Sequence, residues 1–154
     1  MTQTNTNAVA EPPNTELDHE TLTDIIDLAL WAGQLLLQYG ADSRRIEETA
    51  HRIGTSLGCN WLDVFVSYNT IIITTISGSE FRTKIRRVPR IGVDMTIISA
   101  VNRLSRRVVS GQLDRFQVRS ELMRITTTPP HYNRWLVVVM VGLACAALSL
   151  HFAV

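Results

Sequence analysis

The sequence predicts an α+β fold made of a helical pair, a small and mostly antiparallel sheet, two further helices and one C-terminal transmembrane helix. Apolar residues recur at helical spacing before residue 58 and again after residue 93, whereas residues 61–88 are rich in β-branched and aromatic side chains. Residues 135–154 carry no formal charge apart from His151, over a length that can cross about 30 Å of hydrocarbon.

We divide the chain into four segments. Residues 1–18 are polar and acidic and have no apolar stretch, so we expect a disordered segment rather than a signal peptide. Residues 19–126 form the expected cytoplasmic α+β domain, and residues 127–133, which contain two prolines, form a linker. Residues 134–154 are then the transmembrane helix, as the first span of a truncated membrane domain.

The first two helices are expected at about 21–39 and 42–57. The first is apolar well beyond one stripe, so we predict that it lies in the centre of the core. Gly40 can take the positive φ that a tight corner between two helices needs. Asp42 can accept backbone N–H bonds as the N-cap of the second helix.

Three strands are expected at 61–68, 70–76 and 81–88, and the short connections between them predict antiparallel pairing. Arg82, Lys84 and Arg86 alternate with other residues along the third strand. Because side chains alternate between the two faces of a strand, these three cations share one face. The row is either a solvated face or a surface for anions or lipid headgroups.

Two more helices are expected at about 94–109 and 114–125. Gly111 separates them. Asp114 and Gln117 are spaced like the first and last residues of a capping box, which indicates that the fourth helix begins there.

Acidic and basic residues are unevenly distributed along the chain. Residues 1–63 contain ten acids and three arginines, whereas residues 64–154 contain four acids and twelve basic residues. Basic residues beside a membrane helix favour a cytoplasmic location, so we expect the folded domain in the cytoplasm. Cys59 and Cys145 are too few to predict a disulfide framework or a metal site.

The sequence carries no metal-binding, phosphate-binding or nucleophile motif, so we expect neither an enzyme nor a cofactor. The basic helices contain few aromatic residues, and we expect no nucleic-acid partner. His51 follows Glu47 by one helical turn, a spacing typical of a surface hydrogen bond. A hydrolase tethered to the membrane, using Asp42, Glu47 and His51, is a weaker alternative.

Residues 32–47 resemble the signature of the threonine/serine exporter family. The family's pattern reads glycine, alanine, an acid, a hydroxyl residue, a variable residue, arginine, an aliphatic residue and glutamate. In this sequence it falls on Gly40, Ala41, Asp42, Ser43, Arg44, Arg45, Ile46 and Glu47. Asp42 and Ser43 stand where Glu and Thr are commoner. Residues 87–89 and 101–106, followed by Tyr132 and Trp135, resemble the family as well.

The resemblance implies the N-terminal part of an inner-membrane exporter of small polar metabolites, either threonine and serine or dicarboxylates such as succinate. The cytoplasmic domain would gate the path, gather substrate or assemble subunits. Implied partners are the small-molecule substrate, the lipid bilayer, further copies in an oligomer, and transmembrane helices in the same longer chain or in a second small membrane subunit. The alternative is a tail-anchored ligand-binding or adaptor domain that does not transport.

Six residues are candidates for substrate binding or gating: Asp42, Arg45, Glu47, Arg82, Lys84 and Arg86. For the first three, a role in the architecture of the helical corner is favoured over a role in chemistry. The cationic row is the first set to test, because one strand presents all three charges together.

Overall fold

The computed structural model describes residues 19–77, 80–89, 92–127 and 134–152. Its elements, in chain order, are α1 (His19–Gln38), α2 (Ser43–Ser56), β1 (Trp61–Ser67), β2 (Thr70–Ser77), β3 (Glu80–Arg87), α3 (Met95–Val109), α4 (Arg115–Thr127) and α5 (Arg134–Phe152). The predicted α+β order is confirmed. The segment expected to be disordered, 1–18, and most of the predicted linker lie outside the described residues.

α1 is the central element of the domain. It contacts α2, α3 and α4 as well as β2 and β3. Leu28 and Leu30 are both buried although they lie about 200° apart around the helix, so its buried surface is wider than one stripe. The prediction of a central core helix is therefore confirmed.

A tight corner joins α1 to α2. Gly40 has a φ of 85°, and the Ala41 N–H donates to the Leu36 carbonyl at 2.9 Å, which ends α1. The Asp42 side chain caps α2, since its Oδ1 accepts the backbone N–H of Arg45 at 3.0 Å. Both features agree with the sequence prediction.

The three strands form an antiparallel sheet in the order β1-β2-β3, as predicted. Its inner face lies against α1 and α2, and the opposite side is its outer face. Gly54 of α2 packs against Leu62 of β1, where a Cβ would collide with the leucine side chain. The glycine therefore allows the close approach of α2 to the sheet.

α3 and α4 cover the remaining side of α1. The Asp94 side chain caps α3, and the Asp114 N–H donates to Gln117 Oε1 at 3.0 Å, which confirms half of the predicted capping box. Val101 and Leu104 of α3 and Leu122 of α4 are buried in the common core.

The predicted C-terminal transmembrane helix is wrong. Within the ranges that the structure describes, none of the helices combines the length and the apolar character needed to cross a membrane. α5 has 19 residues, of which sixteen lie between Arg134 and His151. At 1.5 Å per residue they extend about 24 Å, short of the roughly 30 Å of hydrocarbon that a span must cross.

Candidate functional site

An open cleft lies between α2 and β1. Its volume is about 380 Å³. Its lining consists of Glu47, Glu48, His51, Arg52, Leu62, Asp63 and Val64. Five of these seven side chains are ionisable, which makes the cleft a candidate for binding a small polar molecule.

Helical spacing explains how α2 contributes to the cleft. Glu47 and His51 are four residues apart, and so are Glu48 and Arg52, so that two acids precede two basic groups by one turn. Ile46, Ala50 and Ile53 are buried on the other side of the helix and hold this polar side toward the opening. β1 supplies the facing wall. Leu62 is buried and Asp63 is exposed, because consecutive side chains lie on opposite faces of the strand.

The charges in the cleft are partly paired. Glu48 accepts a bond from Arg44 Nε at 3.0 Å and lies 3.6 Å from Arg52 Nη2. Asp63 Oδ1 accepts the neighbouring Val64 N–H at 3.0 Å. Two carboxylates of α2, Glu47 and Glu48, therefore share the cleft with one guanidinium and one imidazole, whereas the Asp63 side chain points to the other side of β1 from Leu62 and Val64. Such a site attracts an ammonium group more strongly than a second carboxylate.

The described residues of the cleft are not arranged as a metal site. In the part of the chain that the structure describes, no three His, Cys, Asp or Glu side chains are placed to hold a metal ion. Cys59 lies three residues before Leu62, the first cleft residue of β1, but it is buried. Burial raises the pKa of its thiol, and the neighbouring Thr75 hydroxyl opposes this only in part.

The predicted corner residues separate into two places. Asp42 and Arg45 stay together, with 3.6 Å between Arg45 Nε and Asp42 Oδ2, and both side chains are largely exposed. Glu47 lies two residues further along α2 and lines the cleft instead. The signature therefore combines a structural cap with one carboxylate that is available to a ligand.

The cationic row of β3 lies on the inner face and contacts α1. Arg82 Nη1 donates to Thr23 Oγ1 at 2.7 Å, and the guanidinium also contacts His19. Lys84 Nζ donates to Asp27 Oδ1 at 2.7 Å.

Arg86 completes this set of contacts, since its Nη1 donates to Gln34 Oε1 at 3.1 Å. All three cations are only partly exposed. We call these contacts the α1–β3 polar seam. Because their charged ends bind α1, the cations attach the sheet to the central helix.

Sequence reasoning did not assign His51, Arg52 and Asp63 to a common site. The signals were present, since both basic residues follow a glutamate by four positions and Asp63 interrupts an apolar strand. Only the packing of α2 on β1 brings them together.

Comparisons with known proteins identify relatives of the chain. The family model described as "Putative threonine/serine exporter" matches residues 27–154. The "Probable succinate transporter subunit YjjP" of Escherichia coli is 34% identical over 119 residues, which cover 77% of this chain and 46% of that protein. The protein of the same name from Klebsiella aerogenes is also 34% identical over 119 residues, with 77% and 45% covered.

An "Uncharacterized protein" of Haemophilus influenzae is 29% identical over 134 residues, which cover 86% of this chain and 44% of that protein. The chain thus spans less than half the length of these relatives. No solved structure matches it significantly.

Proposed function

Because the chain belongs to the threonine/serine exporter family, we propose that it is the N-terminal part of an inner-membrane exporter of small polar metabolites, with residues 19–126 in the cytoplasm. The family match over residues 27–154 is the observation that carries this proposal. The relatives are more than twice as long as the matched region. The transport path therefore requires membrane helices from the same longer chain or from a second small subunit.

The domain's role in this proposal is to bind the exported molecule in the cleft between α2 and β1 before it reaches the membrane. The cleft begins seven residues after Gly40, close to the signature corner. A ligand that contacts α2 and β1 together would change the packing between them. That coupling offers a means of gating, since α2 starts at a corner with defined geometry.

The charges of the cleft favour threonine or serine over a dicarboxylate. Glu47 suits the ammonium group of an amino acid, and Arg52 suits its carboxylate. A dicarboxylate would meet two acids, Glu47 and Glu48, and a single guanidinium. Succinate is the second candidate, because two relatives are named as succinate transporter subunits.

The test is efflux from cells that contain the full-length protein and are loaded with a threonine-containing dipeptide or with succinate. We expect Glu47→Gln to reduce threonine efflux several-fold. Glu20→Gln is the matched control, since Glu20 is an exposed acid in the first turn of α1, outside the cleft lining. Loss of succinate efflux with normal threonine efflux would favour the second candidate. Unchanged efflux of both would contradict binding in the cleft.

A further inference from the structure

The outer face of the sheet is largely apolar, and no helix among the described residues packs on it. Register places two apolar rows across the three strands, with a polar row between them. The apolar rows consist of Trp61, Ile76 and Phe81, and of Phe65, Ile72 and Ile85. Within the described ranges, the helices that contact the sheet are α1 and α2, on its inner face.

The exposed area is large for a domain of this size. Trp61, Phe65, Ile76, Phe81 and Ile85 are between 43% and 67% exposed. Together they leave on the order of 500 Å² of mostly apolar surface in water, which is near the upper end for the largest patch on a monomer. A patch of this kind marks an interaction surface.

We propose that the outer face binds the outer face of a second copy of this chain. Face-to-face packing of two such patches would remove on the order of 1,000 Å² from solvent, which reaches the lower limit for a biological interface. Two sheets packed in this way, about 10 Å apart, form the core of a sandwich. The pair would complete a layer that the single copy lacks.

Charge on the face supports an identical partner. Asp63 on β1 and Arg87 on β3 are the charged residues that share the outer face with the apolar rows, and both are exposed. They lie on opposite edge strands. In a two-fold interface residue i meets residue j and j meets i, so one acid and one base at opposite edges are self-complementary.

Register then determines where the two-fold axis passes. Asp63 is opposite Thr74 on β2, and Arg87 is opposite Thr70 on the same strand. The midpoint between the two charges is therefore Ile72. The two-fold axis lies between the two sheets. If it pairs Asp63 of each copy with Arg87 of the other, it must pass directly over Ile72, so the two Ile72 residues face each other.

The same charges argue against a lipid surface as the occupant. Binding to anionic lipid is driven by clusters of lysine and arginine, each contributing about 1 kcal/mol. The outer face has one base balanced by one acid, since the other basic residues of β3 belong to the α1–β3 polar seam.

The test is cross-linking in cells that express the full-length protein. All variants carry Cys145→Ser, and Ile72→Cys introduces the reporter at the expected axis; the buried Cys59 remains. A short bismaleimide should then give a covalent dimer. Ser56→Cys, at the exposed end of α2, is the matched control and should give none.

Charge exchange makes the test specific for an identical partner. In the Ile72→Cys background, Asp63→Arg or Arg87→Asp alone should reduce the dimer at least five-fold, and the two together should restore it. Phe81→Asp should abolish it. If each single variant lost the cross-linked dimer and the double variant did not regain it, a different partner would occupy the face, and the proposal would be overturned. An unchanged dimer in every variant, or equal cross-linking at Ser56→Cys, would overturn it as well. The dimer is detected as a cross-linked product and not through transport, so failure of this test can be distinguished from failure of the efflux test.

Discussion

At the scale of single residues, Gly40 and Asp42 turn the chain from α1 into α2. Gly40 is required because a φ of 85° is strained for other residues, and a Cβ there would lie 3.1 Å from the Gly92 carbonyl oxygen. Asp42 satisfies a backbone N–H that has no partner within the helix. Both residues belong to the family signature, so part of that signature specifies backbone geometry.

Replacing Asp42 by Ala should lower the free energy of unfolding by about 1 kcal/mol, because the Arg45 N–H loses its acceptor. Asp42→Asn is the control, since asparagine can cap the helix but cannot pair with the Arg45 guanidinium. Urea unfolding of the two variants measures the difference. If Asp42→Ala left stability unchanged but abolished export, the residue's role would be functional.

At the scale of elements, the α1–β3 polar seam depends on a match between two repeat lengths. Thr23 and Asp27 are one helical turn apart, a rise of about 6 Å, and Arg82 and Lys84 are two strand residues apart, about 6.6 Å. Side chains four residues apart on a helix therefore have nearly the same spacing as side chains two residues apart on a strand, so the two sets can contact each other in pairs. This explains why Arg82 and Lys84 contact residues one turn apart on α1, whereas Arg86 reaches Gln34, seven residues after Asp27.

The Lys84–Asp27 pair should stabilise the seam measurably. With a separation of 2.7 Å and side chains 29% and 39% exposed, it is screened less than a surface pair. We expect Lys84→Met or Asp27→Leu to cost about 1.5 kcal/mol each, and the double variant to cost less than the sum. Arg44 and Glu48 are the control pair, since Arg44 is 87% exposed and coupling there should be a few tenths of a kcal/mol. Equal coupling in the two pairs, measured by urea unfolding, would contradict the assignment.

At the scale of the whole molecule, the acidic first half and the basic second half bind each other. Lys84 pairs with Asp27, and Arg119 of α4 pairs with Asp24. Arg115 also donates to Thr21 at 2.8 Å. The uneven charge along the sequence thus reappears as attraction between α1 and the elements packed around it.

This attraction predicts a salt-dependent stability. Raising NaCl from about 0.05 M to about 0.5 M should lower the free energy of unfolding by less than about 1 kcal/mol, because exposed ion pairs are screened. The control is the Asp24→Asn, Asp27→Asn double variant, in which the same titration should have a smaller effect. An equal response in both proteins would show that these pairs do not carry the salt dependence.

Local patterns in the sequence were sufficient for the element order, the antiparallel sheet, the Asp42 cap and the Gln117 half of the capping box. These features depend on neighbours within a few residues, where periodicity and capping chemistry act directly. The prediction was wrong for α5, because the twenty residues predicted to span the membrane include His151, and the helix has only sixteen residues between Arg134 and His151. The role of the six candidate site residues in binding or gating stays a prediction.

The sequence by itself determined which side chains share a face of each strand and helix. Only the tertiary structure decided which of those faces is covered. The alternation of side chains along β3 places Arg82, Lys84 and Arg86 on one face, but it does not determine whether that face is exposed to solvent or packed against another element. Their location against α1, and the exposure of Phe81 and Ile85, follow from the side of the sheet on which α1 lies. That choice is made by long-range packing between elements far apart in the chain, which no local pattern encodes.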